Sequence, residues 1–213
     1  MEFHLSEAIQ EKGTRARSGV LKFPPPYGSH TERAIKTPAL VAHTSGGSTT
    51  YLTHDLVEEV GLKALHLSYG DLEATAVNRK FKPFEGGIHE GLCLFPDLVG
   101  IMSPTPLLQG SLETSSSTHL TVTAAHSRKT VTPQQYIDVA KTIRPDILLV
   151  LHDEVSGKSG KKRHVKAWNR TLSWLNTCAA ALGRGDGVNS TPCSSRGGLR
   201  NSNGSDWGSK GGG

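Results

Sequence analysis

The sequence predicts an α/β fold, on three observations. Short apolar runs of strand character alternate with stretches of helical period, the pattern of parallel βα units. Residues 146–151 form a continuous apolar run behind a leading Asp, as a fully buried parallel strand does. Val165, Trp168, Leu172, Leu175, Ala179 and Leu182 then recur at spacings of three and four, which predicts an amphipathic helix of about five turns with this stripe as its apolar face.

The elements follow in order. Residues 1–23 read as an opening hairpin, with Gly19–Phe23 as one strand. Pro24, Pro25 and Pro26 end it, because three consecutive prolines supply no ladder donors. Residues 37–42 read as a short buried strand and residues 43–50 as a loop. A helix follows, with Thr53 as its N-cap and Asp55, Glu58 and Glu59 in its early turns, near the positive end of the dipole. Leu56, Val57 and Val60 form its apolar stripe, and Gly61 stops it. Residues 63–68 are the next strand, which completes a strand-helix-strand unit. From Tyr69 to Thr118 proline and glycine recur and no period is strong. Leu120–Ala124 alternates as a strand. Thr132 then caps a helix that has Pro133 in its first position and runs to about Ile143. The apolar strand and the long helix complete the predicted elements.

A chain of 213 residues is long enough for one domain with a sizeable core. Its apolar content of 35% is low for a compact domain, and the C-terminal stretch accounts for this. Ten of the 31 residues from Gly183 onward are glycine, and no apolar period survives there. The expectation is one domain over 1–182 and a disordered Gly/Ser-rich tail over 183–213. The net charge is +5, with the basic excess concentrated in Lys158, Lys161, Lys162, Arg163, Lys166 and Arg170. Two readings of this segment stand: an attractor for phosphate backbones, or a solvated loop and helix start.

Cys93, Cys178 and Cys193 are far apart, and neither they nor the ten histidines show zinc-ligand spacing. An odd cysteine count without a signal-peptide pattern suits a reducing compartment. No apolar run approaches the ~20 residues that span a bilayer. A soluble intracellular protein is expected.

Gly157-Lys158-Ser159 hints at a phosphate loop, but that motif needs a glycine where His152 stands. Asp153 and Glu154 instead lie at the C-terminal end of a strand, where a βα barrel carries its active site. The alternative is that they cap the next element or sit in solvent.

The order of these pieces resembles the tRNA-guanine transglycosylase family, whose members exchange a tRNA base for queuine or its precursor. Phe3-His4-Leu5 and residues 15–23 look like the family's N-terminal strands, and residues 37–53 like its first barrel strand, glycine loop and helix cap. Residues 144–155, Arg-Pro-Asp-Ile-Leu-Leu-Val-Leu-His-Asp-Glu-Val, look like the strand whose Asp-Glu end contacts the exchanged base; residues 163–182 resemble the helix after it. The resemblance covers about residues 1–182 and implies the N-terminal half of a (β/α) TIM-type barrel, incomplete in this chain. Catalytic members carry Asp-Ser-Gly-Gly-Phe before that strand. Here residues 100–111 hold no such segment, and Ser103-Pro104 with residues 120–132 looks more like the paralogous accessory kind.

The resemblance therefore implies a non-catalytic subunit in a heterodimer with a catalytic queuine tRNA-ribosyltransferase chain. It implies a vestigial base-binding Asp153 and no catalytic residue. Lys158, Lys161, Lys162, Arg163 and Lys166 would meet tRNA phosphates, directly or through the partner. The family's nucleophilic Asp and its zinc ligands lie in a C-terminal half that this sequence does not reach, so no metal ligand is assigned. Glu154 is expected to make a structural contact. The family's location is cytoplasmic, with association at the mitochondrial outer membrane. Two other readings stay open: a catalytic chain shortened before its nucleophile, and a product with no stable fold.

Overall fold

The computed structural model describes residues 1–5, 18–26, 29–30, 32–72, 86–106, 115–124 and 127–183. Three antiparallel strands open the chain: β1 (Glu2–Leu5), β2 (Gly19–Phe23) and β3 (Arg33–Thr37), in that order, with Val20 opposite both His4 and Lys36. The expected opening hairpin is present. Residues 15–17 of the family-like segment lie outside the described residues, as do 107–111 and the tail beyond 183.

β4 (Ala42–Ser45) and β5 (Ser48–Thr49) form a tight hairpin through Gly46 and Gly47, both at positive φ. The helix α1 (His54–Glu59) leads to β6 (Ala64–Ser68). The single turns α2 (Tyr69–Leu72) and α3 (Ile88–Gly91) precede β7 (Val99–Ser103). β8 (Leu120–Ala124) and β9 (Ser127–Val131) make a separate antiparallel ribbon. The chain continues through α4 (Pro133–Ile143) and β10 (Ile147–Leu148) to α5 (Lys161–Ala181). The second sheet runs β10-β7-β6-β4-β5, and its first four strands are parallel. The α/β class and the strand-helix-strand unit of residues 42–68 therefore hold.

Four sequence expectations need correction. The buried strand expected at 37–42 starts only at Ala42; Thr37 belongs to β3, and Leu40 is 74% exposed. The loop expected at 43–50 holds most of β4 and all of β5. Its polar residues read as loop, yet His43 pairs in register with His66, and the Thr44 hydroxyl donates to the His66 carbonyl at 2.7 Å. In α1 only Val57 is buried, because six residues offer one anchoring position; Leu56 and Val60 face solvent, and Thr53 makes no side-chain cap. β10 is a half-buried edge strand of two residues. Its apolar run is continuous, but no described strand covers its outer side.

Alternation within the strands divides the interior. Leu65, Leu67 and Met102 face the helices and pack in one cluster with Tyr136, Ile137 and Trp174. Ala64 and Val99 face the other way, onto Phe23 and Ile35 of the first sheet. Toward the C-terminal strand ends this second face turns polar, with His66, Ser68 and Ser103 all buried.

A candidate polar site at the C-terminal strand ends

The chain after β10 carries Leu151, which is fully buried, and then Asp153, whose side chain is 0% exposed. A buried carboxylate needs compensation, and α5 supplies it. Arg163 donates through both terminal nitrogens, to Oδ2 at 2.7 Å and Oδ1 at 2.6 Å, the bidentate geometry that suits a guanidinium. Arg170 donates to Oδ2 at 2.8 Å, and the Ser115 hydroxyl donates to Oδ1 at 2.5 Å. The Asp153 N–H donates to the Thr171 hydroxyl at 3.0 Å. Burial alone would raise the Asp153 pKa, but the hydrogen bonds from Arg163, Ser115 and Arg170 outweigh it and hold the carboxyl at about 2. Four donors fill an ionised carboxylate's accepting capacity of about four sites.

This clamp explains how α5 sits. Arg163 and Arg170 are two turns apart on one face, with Ala167, Trp174 and Cys178 buried along it. The expected apolar stripe is turned away: Val165, Trp168 and Leu172 are 52%, 69% and 45% exposed. Ala167, buried between the two arginines, is small enough to leave room for both guanidinium groups on this face. Trp174 Nε1 donates to the Ser117 carbonyl at 3.3 Å.

The predicted basic residues divide. Arg163 is spent largely on Asp153. Lys158, Lys161, Lys162 and Lys166 are exposed, and their ammonium groups make no ion pair among the described residues. Glu154, expected to make a structural contact, is exposed and without a hydrogen-bond or ion-pair partner among the described residues. Next to the clamp lies an open hollow of about 520 Å³, lined by residues that include Val155, His164, Trp168 and Thr171.

A second polar chain crosses the inner face. Ser103 donates to the Thr105 carbonyl at 2.5 Å, so its oxygen accepts from His66 Nε2 at 2.6 Å. His66 Nδ1 then accepts from His43 Nδ1 at 3.4 Å. Burial first, then His43 beside it, pushes the His66 pKa down to about 4, so the ring is neutral. A third network joins the two sheets. Arg33, 2% exposed, reaches Asp146 at 2.7 Å, and Asp146 also accepts from His89 at 3.0 Å and the Gly100 N–H at 2.8 Å. Sequence reading missed both networks and the roles of Ser115 and Arg170. One signal was there: no acid lies between residues 155 and 183, so any carboxylate that pairs with Arg163 or Arg170 has to come from elsewhere in the chain.

The described residues do not fit a zinc ion, since no three His, Cys, Asp or Glu side chains converge. Cys178 is buried in the core, where desolvation pushes its thiol up to about 11, and Cys93 is exposed. No helix among the described residues is long and apolar enough to cross a membrane.

The family model described as queuine tRNA-ribosyltransferase matches residues 12–202. This chain belongs to the queuine tRNA-ribosyltransferase family. The match extends past the expected domain boundary at 182. Among curated relatives, the queuine tRNA-ribosyltransferase accessory subunit 2 of Schizosaccharomyces pombe is 28% identical over 166 residues, which take in 75% of this chain and 36% of that protein. The protein of the same name from Xenopus tropicalis is 28% identical over 184 residues, 82% of this chain and 42% of its own length. That from Anopheles gambiae is 27% identical over 165 residues, 74% and 37%. The chain spans about two-fifths of the length of these relatives.

Proposed function

We propose that this family member serves as a non-catalytic accessory subunit of a queuine tRNA-ribosyltransferase, supporting exchange of guanine for queuine at the tRNA wobble position. The observation that carries the reading is the closure of Asp153. Base exchange at a glycosidic bond needs a nucleophile for the ribose carbon and an acid or base for the departing base. Asp153, at the position that resembles the family's base-contacting residue, has both oxygens filled by Arg163, Arg170 and Ser115. A flipped base would have to displace a bidentate arginine to bind there. The names of the relatives from yeast, frog and mosquito support the accessory reading.

Its partner in this reading is the catalytic subunit, in a heterodimer located in the cytoplasm, and the parallel strands belong to a β/α barrel. Lys158, Lys161, Lys162 and Lys166 hold tRNA phosphates. Lys161 and Lys162 occupy the first turn of α5, which has no acid, so they oppose the helix dipole instead of complementing it. Charge that serves neither helix nor ion pair is best explained by an anionic ligand.

The test is co-expression with the catalytic transglycosylase subunit of the same organism. A stoichiometric complex whose base-exchange rate survives Asp153→Ala is expected. Exchange by this chain alone, or its loss from the complex on that substitution with the fold intact, overturns the non-catalytic reading. Absence of a complex between two folded chains overturns the partner.

A further inference from the structure

His43 and His66 stand side by side on neighbouring parallel strands, paired in register between β4 and β6. Their rings are nearly parallel, 26° apart, and the two Nδ1 atoms face each other at 3.4 Å. That separation is long, since N–H donors in proteins lie mostly at about 2.9–3.0 Å from their acceptors. A proton between the rings therefore holds the pair weakly. The far nitrogen of His66 is fixed: Nε2 donates to the Ser103 oxygen at 2.6 Å, because the Ser103 hydroxyl is committed to the Thr105 carbonyl. His66 Nδ1 thus carries a bare lone pair, aimed at His43. Burial first, then His43 beside it, keeps the His66 ring neutral, with a pKa of about 4. His66 is buried and His43 half-buried. A neutral imidazole whose far N–H is held by a hydrogen-bonded partner is how proteins present a histidine to a metal ion.

We propose that His43 and His66 bind a copper ion through their Nδ1 atoms, with water in its remaining positions. The ion takes the place of the proton between the rings. His43 then carries its own proton on Nε2, so neither ring changes charge. With metal–imidazole bonds of about 2.0–2.1 Å, two nitrogens on one ion lie about 2.9 Å apart at a right angle and about 4 Å apart in line. The 3.4 Å observed falls between these limits, so small ring rotations reach either geometry. Asp71 is close enough to favour positive charge at His66, which suits a cation. Zinc sites draw on at least three protein ligands, and no three such side chains converge among the described residues. Copper is the most tightly bound of the divalent first-row ions at a given nitrogen site, so two imidazoles serve it where they fail zinc. None of these residues enters the proposed function, so the two stand or fall separately.

The test titrates the full chain with Cu2+ in a non-chelating buffer, after alkylation of its accessible thiols, the exposed Cys93 included. Calorimetry should find one 1:1 site tighter than any other. Pulsed electron paramagnetic resonance of the first equivalent should show the remote nitrogens of two imidazoles. His43→Gln leaves the His66–Ser103 bond in place, so the melting transition should persist, while copper affinity falls by more than about tenfold and one imidazole leaves the spectrum. Ser103→Ala releases His66 Nε2 and should weaken copper by about 10–100-fold without removing an imidazole. Zn2+ should bind at least about tenfold more weakly than Cu2+. Three results overturn the proposal: no copper bound by the folded chain; a first equivalent whose affinity and spectrum are the same in folded His43→Gln, which places the ion on other histidines; or zinc bound as tightly as copper.

Discussion

Asp153 shows how a carboxylate that reads as a candidate site from its position can be occupied by the fold. Its folded pKa lies below the ordinary aspartate value of 3.8, at about 2. The clamp therefore contributes stability that is fully present above the unfolded pKa and is lost as pH falls from about 4 towards 2. An acid titration followed by circular dichroism should lose its steepest limb in Asp153→Asn. Asp153→Ala, which leaves Arg170 buried without a counter-charge, should cost about 2–3 kcal/mol in urea denaturation; this is less than a fully buried pair, because Arg163 is about a third exposed. Lys162→Ala should change stability by less than about 0.5 kcal/mol. His66 titrates with the same sign in a higher window. Its folded pKa of about 4 lies below the ordinary 6.5, so stability declines as pH drops from 6.5 to 4. His66→Gln, which keeps a donor for Ser103, should flatten that decline in a melting series across pH.

At the scale of elements, α4 was fully legible and α5 only half so. α4 carries all its information locally: Thr132 accepts from the Gln135 N–H, Gln135 accepts in return from the Thr132 N–H, and Pro133 sits in the first turn. Thr132→Ala should cost about 1 kcal/mol, measured by chemical denaturation. The existence and length of α5 followed from its period, but the face it buries did not. That face is chosen by a long-range partner, Asp153, and the apolar stripe that normally marks the core points outward. Trp174→Ala, on the buried face, should destabilise by about 3–5 kcal/mol, whereas Trp168→Ala should leave the melt almost unchanged. β4 was hidden for a related reason. Its His-Thr-Ser residues look like loop until His66 provides partners for His43 and Thr44 across the sheet.

The described residues form a mainly parallel sheet with helices on one face and a three-stranded antiparallel sheet on the other, beside a separate ribbon of β8 and β9, and the Asp153 and His66 networks lie toward the C-terminal strand ends. Replacing Lys158, Lys161, Lys162 and Lys166 with alanine should weaken retention of tRNA by the assembled complex. It should also flatten the dependence of log affinity on log salt by up to about 0.9 for each phosphate no longer neutralised, read from filter binding at several salt concentrations. The Arg33–Asp146 pair has a consequence for synthesis. Arg33 is made early and buried almost completely, yet its carboxylate partner emerges only after most of the sheet has been translated. During translation at roughly 5–20 residues per second, Arg33 can meet the Pro24 carbonyl within the opening segment and the Leu98 carbonyl before β7, but its counter-charge arrives only with Asp146. The opening segment is thus the first to be made, yet its buried ion pair is completed only when the chain reaches the start of β10.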